Sequence, residues 1–359
     1  MSGLRAQVPS GWDISPEWMT EALRTSCPGA EVASVARVGG SDGTSSRAVL
    51  ELTYRQGTGP STVFAKTKGD PLRRTFQWMT DNAFIEGRLA LAGVPLEVEH
   101  PAFLAGAVDR LRLNDMVVME DVTQRGAVLN DATRPLAVDE VRSGLLGLAR
   151  LHSRYWHLDT RRQRELAWVR PWRAKPTFRF LLRLGCSRGL PRLRDRLPDE
   201  VAALGTGGLI RHWRRRVISA GHGPQTLLHG DAHVGNTYTL PGGELGFYDW
   251  GVVRRGNWSF DVGYFLISAL DVESRRTHAQ ELIEEYRTAL DVPEHERPTA
   301  QDAWLRFRSA TAYGLAIWIT TGAEDGYQSP EVCGSLAHRF GQAFVDLDTP
   351  AALDALGVR

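Results

Sequence analysis

The chain has 359 residues, enough for two lobes with cores of their own. Its 42% hydrophobic and 24% charged residues are those of a globular protein, and a formal net charge of +1 gives no global pull toward nucleic acid or membrane. Cys27, Cys186 and Cys333 are isolated and odd in number, which argues against a disulfide framework or a zinc knuckle. No uncharged apolar run approaches the roughly 20 residues of a membrane helix, and no apolar stretch follows the N-terminal charges as in a signal peptide. A soluble, cytoplasmic enzyme is the expectation.

In chain order, Ser15-Pro16-Glu17 before Trp18 and Leu23 reads as a helix start, a hydroxyl cap followed by proline in the first turn. Three short β-branched or alternating runs follow, 32–38, 47–54 and 62–66, separated by Gly/Ser/Asp/Pro turns. They predict two hairpins in series and hence an antiparallel sheet. In the first turn, Gly39 to Ser46, backbone N–H groups and hydroxyls around Gly40, Ser41 and Gly43 are able to cover nucleotide phosphates. The turn departs from the Gly-x-Gly-x-x-Gly spacing of protein kinases. Lys66 stands at the end of the third run, with Lys68 on the same face. Phe84 to Leu89 has helical apolar spacing, carries Glu86, and precedes the Gly93-Val94-Pro95 break. Met116 to Asp121 reads as a buried strand ending in acid.

From about residue 125 the pattern becomes that of long amphipathic helices, with leucines at 145, 146, 148 and 151 between Val138 and Tyr155. His152 in this stretch reads as a packed helix histidine. Residues 154 to 216 hold seventeen Arg or Lys against five Asp or Glu, a solvated basic surface more than a nucleic-acid site given the near-zero net charge. Interleaved Trp168, Trp172, Phe178 and Phe180 offer substrate stacking. Thr226-Leu227-Leu228 reads as a short strand, Pro241-Gly242-Gly243 as a hairpin turn, and Leu245 to Tyr248 as its return strand. A further apolar helix begins near Trp258, and final helices are expected over 279–290 and 301–319. Glu281, Glu284, Glu285, Glu324 and Asp325 on these helices are either a charged surface or a set of partners for a cationic ligand.

The chemistry concentrates in His229-Gly230-Asp231-Ala232-His233-Val234-Gly235-Asn236, followed thirteen positions later by Asp249 in Phe247-Tyr248-Asp249-Trp250. An Asp, an Asn and a second Asp around one tight segment are the groups that phosphoryl transfer from ATP needs. One carboxylate takes the proton of the attacking hydroxyl, while an amide oxygen and a second carboxylate hold the magnesium that bridges the phosphates. A different chemistry, a metal-dependent hydrolase built on His229, Asp231 and His233, is drawn from the same residues.

The HGDAHVGN segment with its downstream YDW resembles the catalytic segment of the aminoglycoside-phosphotransferase-like small-molecule kinases, particularly the ecdysteroid-kinase-like and choline-kinase-like branches. The resemblance is strongest over 226–265 and weaker before residue 130. It implies an α+β, bilobal, protein-kinase-like fold. Residues 1–122 would form a nucleotide-binding lobe with a small antiparallel sheet, about 119–124 the hinge, and 125–359 a helical lobe with the catalytic loop and acceptor pocket, ATP and Mg2+ lying between the lobes. It implies Asp231 as general base, Asn236 and Asp249 as magnesium ligands, and Lys66, held by Glu86, on the phosphates. Met119 would pack on adenine, with the backbone of Glu120 to Val122 on its edge. His229 becomes scaffolding, and Asp261 a brace for the catalytic loop or a cap for its helix.

Only eleven residues separate Asp249 from Asp261, leaving no room for the activation segment of a protein kinase, so the acceptor is a small-molecule hydroxyl. An antibiotic or other natural product such as an aminoglycoside or nucleoside is the leading expectation. A choline-like alcohol, a sugar, a steroid-like alcohol or a catalytically silent nucleotide-binding scaffold are the alternatives. Function resides in the pocket and not the fold.

Overall fold

A computed structural model describes residues 8–9, 11–42, 46–68, 74–75, 83–173, 175–325 and 328–357. The chain forms two compact units. The first comprises Met1–Pro95, His100–Ala127 and Asp249–Val252, the second Leu96–Glu99, Val128–Tyr248 and Val253–Arg359.

The first unit opens with helix α1 (Pro16–Leu23), where Ser15 Oγ accepts the Trp18 N–H at 3.2 Å and Pro16 opens the first turn. Strands β1 (Glu31–Asp42), β2 (Ser46–Gln56) and β3 (Thr62–Thr67) are followed by helix α2 (Ile85–Ala92) and by β4 (Phe103–Asp109) and β5 (Asn114–Glu120). The five strands form one antiparallel sheet in the order β1-β2-β3-β5-β4. Strand alternation sends Leu50, Leu52, Val63, Ala65, Met116 and Val118 to one face, where Met19 and Leu23 of α1 cover them. Gly40 is a glycine by necessity: its φ is +129°, and a Cβ there would lie 2.1 Å from the Arg47 carbonyl oxygen across the hairpin. Strand β4 was not expected from its Phe-Leu-Ala-Gly-Ala-Val-Asp sequence, whose small residues lack a two-residue apolar period.

The second unit is mostly helical. Strand β6 (Val128–Leu129), helices α3 (Val138–Arg154), α4 (Pro176–Arg192), α5 (Asp199–Ala203) and α6 (Gly205–Ser219) precede strands β7 (Thr226–Leu228), β8 (Thr237–Thr239), β9 (Leu245–Phe247) and β10 (Arg254–Gly256). Helices α7 (Ser259–Ala269), α8 (Val272–Ala289), α9 (Ala300–Thr321), α10 (Pro330–Asp346) and α11 (Thr349–Ala355) complete it. Strand β7 is wholly buried and pairs antiparallel with β10, while β8 and β9 make the expected hairpin around Pro241-Gly242-Gly243. Helix α7 is buried along its whole length and anchors the loop that follows β7.

Helix α8 starts seven residues before the sequence expectation, because Asp271 caps it by accepting the Ser274 N–H at 2.9 Å. Helix α10 went unread although Ser329-Pro330 repeats the Ser15-Pro16 start signal. Among the described residues no helix is long and apolar enough to cross a membrane.

Candidate active site

In the first unit the register of β2 and β3 places Arg47 directly opposite Lys66, so the two cations project from one face of the sheet. Two like charges in that position would repel. Asp249 resolves the conflict: its Oδ1 takes the Lys66 ammonium and its Oδ2 the Arg47 guanidinium at 3.0 Å. Glu86, on the first turn of α2, completes the cluster. Its Oε2 lies 2.8 Å from Lys66 Nζ and its Oε1 accepts the Trp250 N–H at 3.1 Å. The Lys66–Glu86 pair expected from the sequence therefore forms, and Glu86 also pins the segment that carries Asp249. Asp249 itself has φ +64°, a left-handed conformation that aspartate tolerates better than bulkier residues. Gly251 passes so close that a Cβ there would lie 3.3 Å from Asp249 Oδ1.

Burial alone would raise the Asp249 carboxyl and lower the Lys66 ammonium. The opposite charges outweigh it in both cases. Lys66 and Arg47 hold Asp249 well below the usual carboxylate range, and Asp249 and Glu86 hold Lys66 above its ordinary value. A depressed carboxyl contributes stability above the ordinary Asp value of 3.8 and loses it as the pH falls toward the folded-state value. A raised ammonium contributes below 10.5 and loses it as the pH rises past that. The first unit is thus expected to weaken in acid below about pH 4, and Asp249→Asn to flatten that acid limb. Denaturant midpoints measured across the acid range check this; an unchanged acid limb in the variant would contradict it.

Lys68, the sequence rival of Lys66, is buried just beyond β3, and its charge acts on Asp115 and Asp249. Among the described residues, the ion pairs to Glu86 and Asp249 are those of Lys66. Met119, 4% exposed, packs with Ala90 and Val117. The Glu120 N–H bonds Ala102 O at 2.9 Å, and its carboxylate meets Arg125 at 2.8 Å. Val122 opens the single turn 122–125, which Asp121 caps. Gly40 and Ser41 lie in β1 at the approach to the first hairpin turn, and Gly43 lies outside the described residues.

In the second unit the loop after β7 is over-determined. Asp261 on α7 accepts the His229 N–H at 2.7 Å through Oδ2 and the Gly230 N–H at 3.0 Å through Oδ1. It braces the loop, while Asn257, just ahead of α7, accepts the Ser259 N–H at 3.1 Å through Oδ1. His152 is buried on the other side of Asp261, its Nδ1 2.8 Å from the Tyr286 hydroxyl, a packed histidine as read from the sequence. Val234 N–H bonds Ser268 Oγ at 3.0 Å, and the Tyr248 hydroxyl donates to Gly235 O at 2.6 Å.

Within this frame Asn236 donates its Nδ2 to Asp231 O at 2.9 Å and to Asp231 Oδ2 at 3.1 Å. That fixes the Asp231 carboxylate through the amide nitrogen of Asn236, leaving Oδ1 out of these contacts. His229 is fully committed: Nδ1 accepts the Asp231 N–H at 3.2 Å, so Nε2 carries the proton and donates it to Tyr248 O at 3.0 Å. A ring with both nitrogens spent cannot ligate a metal, so the hydrolase alternative loses one of its three ligands. His233 Nδ1 accepts the Gly235 N–H at 3.1 Å, and its Nε2 lies 3.9 Å from Asp231 Oδ2.

Sequence reasoning missed Arg47. The signal was there only in combination, since it requires both the β2–β3 register and the return of Asp249 to the sheet. Asp249, kept ionised, offers a hard carboxylate oxygen of the kind that suits magnesium, which is usually held by one or two carboxylates together with substrate phosphates. Among the described residues there is no cluster of three or more His, Cys, Asp or Glu able to hold a metal by protein alone.

A buried lysine–glutamate pair on an antiparallel sheet and a braced Asp–Asn loop are parts of a phosphoryl-transfer enzyme. The family model described as the phosphotransferase enzyme family (APH) matches residues 52–299, well over half of the sequence. The chain belongs to that family and is a small-molecule kinase. Its fold is similar to that of the spectinomycin phosphotransferase APH(9)-Ia solved with ADP and spectinomycin, at 13% identity and a TM-score of 0.52, covering 94% of this chain and 99% of that one. A choline/ethanolamine kinase family protein from Mesorhizobium loti matches at 16% identity and a TM-score of 0.47, covering 90% and 92%. No curated protein matches the sequence.

Proposed function

We propose that this protein is an ATP- and magnesium-dependent O-phosphotransferase that phosphorylates a hydroxyl of a small molecule of the antibiotic or natural-product kind. The observation that carries the reading is Asp231 held by Asn236 on a loop tied to Asp261, in a chain whose Asp249 is kept ionised by Lys66. Asp231 takes the hydroxyl proton or orients the hydroxyl for attack. Asn236 Oδ1 and Asp249 hold magnesium, which when bound neutralises charge on the phosphate oxygens. Lys66, positioned by Glu86, binds phosphate. The backbone around Gly40 and Ser41 covers the phosphates, and Met119 with the backbone of Glu120 to Val122 receives adenine. Because little covalent chemistry falls to the protein, orientation and charge neutralisation dominate the rate. An assay of ADP release with ATP, an acceptor panel and magnesium tests the reading. Chelation of magnesium is expected to abolish turnover, and turnover insensitive to chelation would contradict it.

Arg47 joins Lys66 in this reading as a second phosphate cation, its guanidinium being about one-third exposed beside Asp249. Arg47→Ala is expected to raise the KM for ATP about tenfold, a loss of about 1.4 kcal/mol, with Arg47→Lys recovering part of it. Steady-state kinetics with varied ATP checks this, and an unchanged KM in the alanine variant would contradict it.

A further inference from the structure

In the second unit a series of packed rings leads away from Asp231. His233, whose Nε2 is 3.9 Å from the Asp231 carboxylate, packs edge to face on Trp318 at 5.0 Å and on Tyr264 at 5.8 Å. Tyr264 meets Tyr313 at 5.4 Å, and Tyr313 meets Phe260 at 4.4 Å and Trp172 at 5.7 Å. Burial first, and then the charge of Asp231, push both tyrosine phenols above their ordinary values, so each remains a protonated donor within electrostatic reach of that carboxylate. The indole N–H of Trp318 is directed at the Tyr264 hydroxyl, while that of Trp172 is shielded from water and has no partner among the described residues. A shielded donor of that kind calls for an acceptor atom.

The five acids read from the sequence as partners for a cation are each paired with an arginine. Arg142 takes Glu285 at 2.7 Å and Glu281 at 3.9 Å, and Arg287 takes Glu284. Arg188 holds Glu324 at 2.7 Å, and Arg192 holds Asp325 at 2.6 Å.

We propose that the acceptor is an uncharged alcohol on an aromatic or fused-ring framework, its rings against Tyr313, Tyr264 and Trp318 and its hydroxyl at Asp231. The inference rests on the kinase reading above. In the step itself the acceptor oxygen bonds to the γ-phosphorus of ATP and the hydroxyl proton passes to the Asp231 carboxylate. The bond from that phosphorus to the β–γ bridging oxygen breaks, its electron pair leaving with ADP.

The test has two arms. In the first, ADP release with ATP and magnesium is compared for benzyl alcohol, naphthylmethanol and a tricyclic alcohol against kanamycin, spectinomycin and choline. The ring alcohols are expected to give kcat/KM at least about tenfold higher, and Tyr313→Phe and Trp172→Leu to raise the acceptor KM roughly tenfold with the ATP KM unchanged. In the second arm, tryptophan fluorescence is titrated with naphthylmethanol, and saturable quenching is expected from Trp318 and Trp172. Preference for kanamycin, spectinomycin or choline would overturn the inference while leaving the kinase reading intact. So would the absence of both turnover and quenching with every ring alcohol in a protein that still binds ATP with magnesium. Failure to bind ATP at all would overturn the kinase reading and this inference with it.

Discussion

Asp231→Asn is expected to lower kcat by about a thousandfold or more while leaving the protein folded and its ATP affinity unchanged. General-base and orienting groups are worth roughly a hundred- to ten-thousandfold, and this one is the only carboxylate on the loop. The substitution keeps the shape of the side chain and the Asn236 contacts in place, and the carboxylate is 37% exposed, so the cost in stability is small. Two observations make the expected loss large. Asn236 Nδ2 fixes the carboxylate from one side, and the two backbone amides donated to Asp261 fix the loop from below. The group is therefore pre-positioned, and its replacement removes function without relaxing the frame. Single-turnover kinetics with saturating ATP check this. A kcat within tenfold of wild type would remove Asp231 from the chemistry.

Asp249→Asn is expected to be at least as damaging, for a different reason. Asparagine tolerates the left-handed φ of +64° as aspartate does, so the backbone survives. What disappears is the one negative charge that faces both Lys66 and Arg47. Lys66 keeps Glu86 at 2.8 Å and is not left bare, which limits a penalty that reaches about 3–5 kcal/mol when a buried charge loses its only partner. Loss of a charged magnesium ligand is expected to lower kcat about a thousandfold or more and to abolish the magnesium dependence of ATP binding. Comparing kcat and ATP affinity with and without magnesium separates this variant from Asp231→Asn, whose nucleotide binding should be intact. Magnesium-dependent binding retained in Asp249→Asn would contradict the assignment.

Much of the fold and the core of the site were legible because their signals are local. Ser15-Pro16 announces α1, the Gly39 to Ser46 turn announces the first hairpin, and the residues of the 229–236 loop act within a few positions of one another. Lys66 and Glu86 were readable as a strand-end lysine and a first-turn helix glutamate. Other elements depended on long-range geometry. Arg47 acquires its role only when β2 pairs with β3 and Asp249 comes back across 202 positions of sequence. Tyr264 and Tyr313 sit on α7 and α9, where helical spacing marks them as core; only the packing of the two helices brings them within electrostatic reach of Asp231. Strand β4 hid because alanine and glycine give no alternation, and α10 because its Ser-Pro cap follows a segment without apolar period. The five acids illustrate the opposite error of emphasis, since sequence shows a carboxylate but not the arginine that neutralises it.

The most direct measurement is a thermal-shift titration with ATP, with and without magnesium, on wild type, Asp231→Asn and Asp249→Asn. Binding to the native state alone stabilises by mass action, about 2.7 kcal/mol at a hundred times Kd. The account expects a magnesium-dependent rise in wild type and in Asp231→Asn, and none in Asp249→Asn. An equal rise in Asp249→Asn, or no magnesium dependence in wild type, would contradict it.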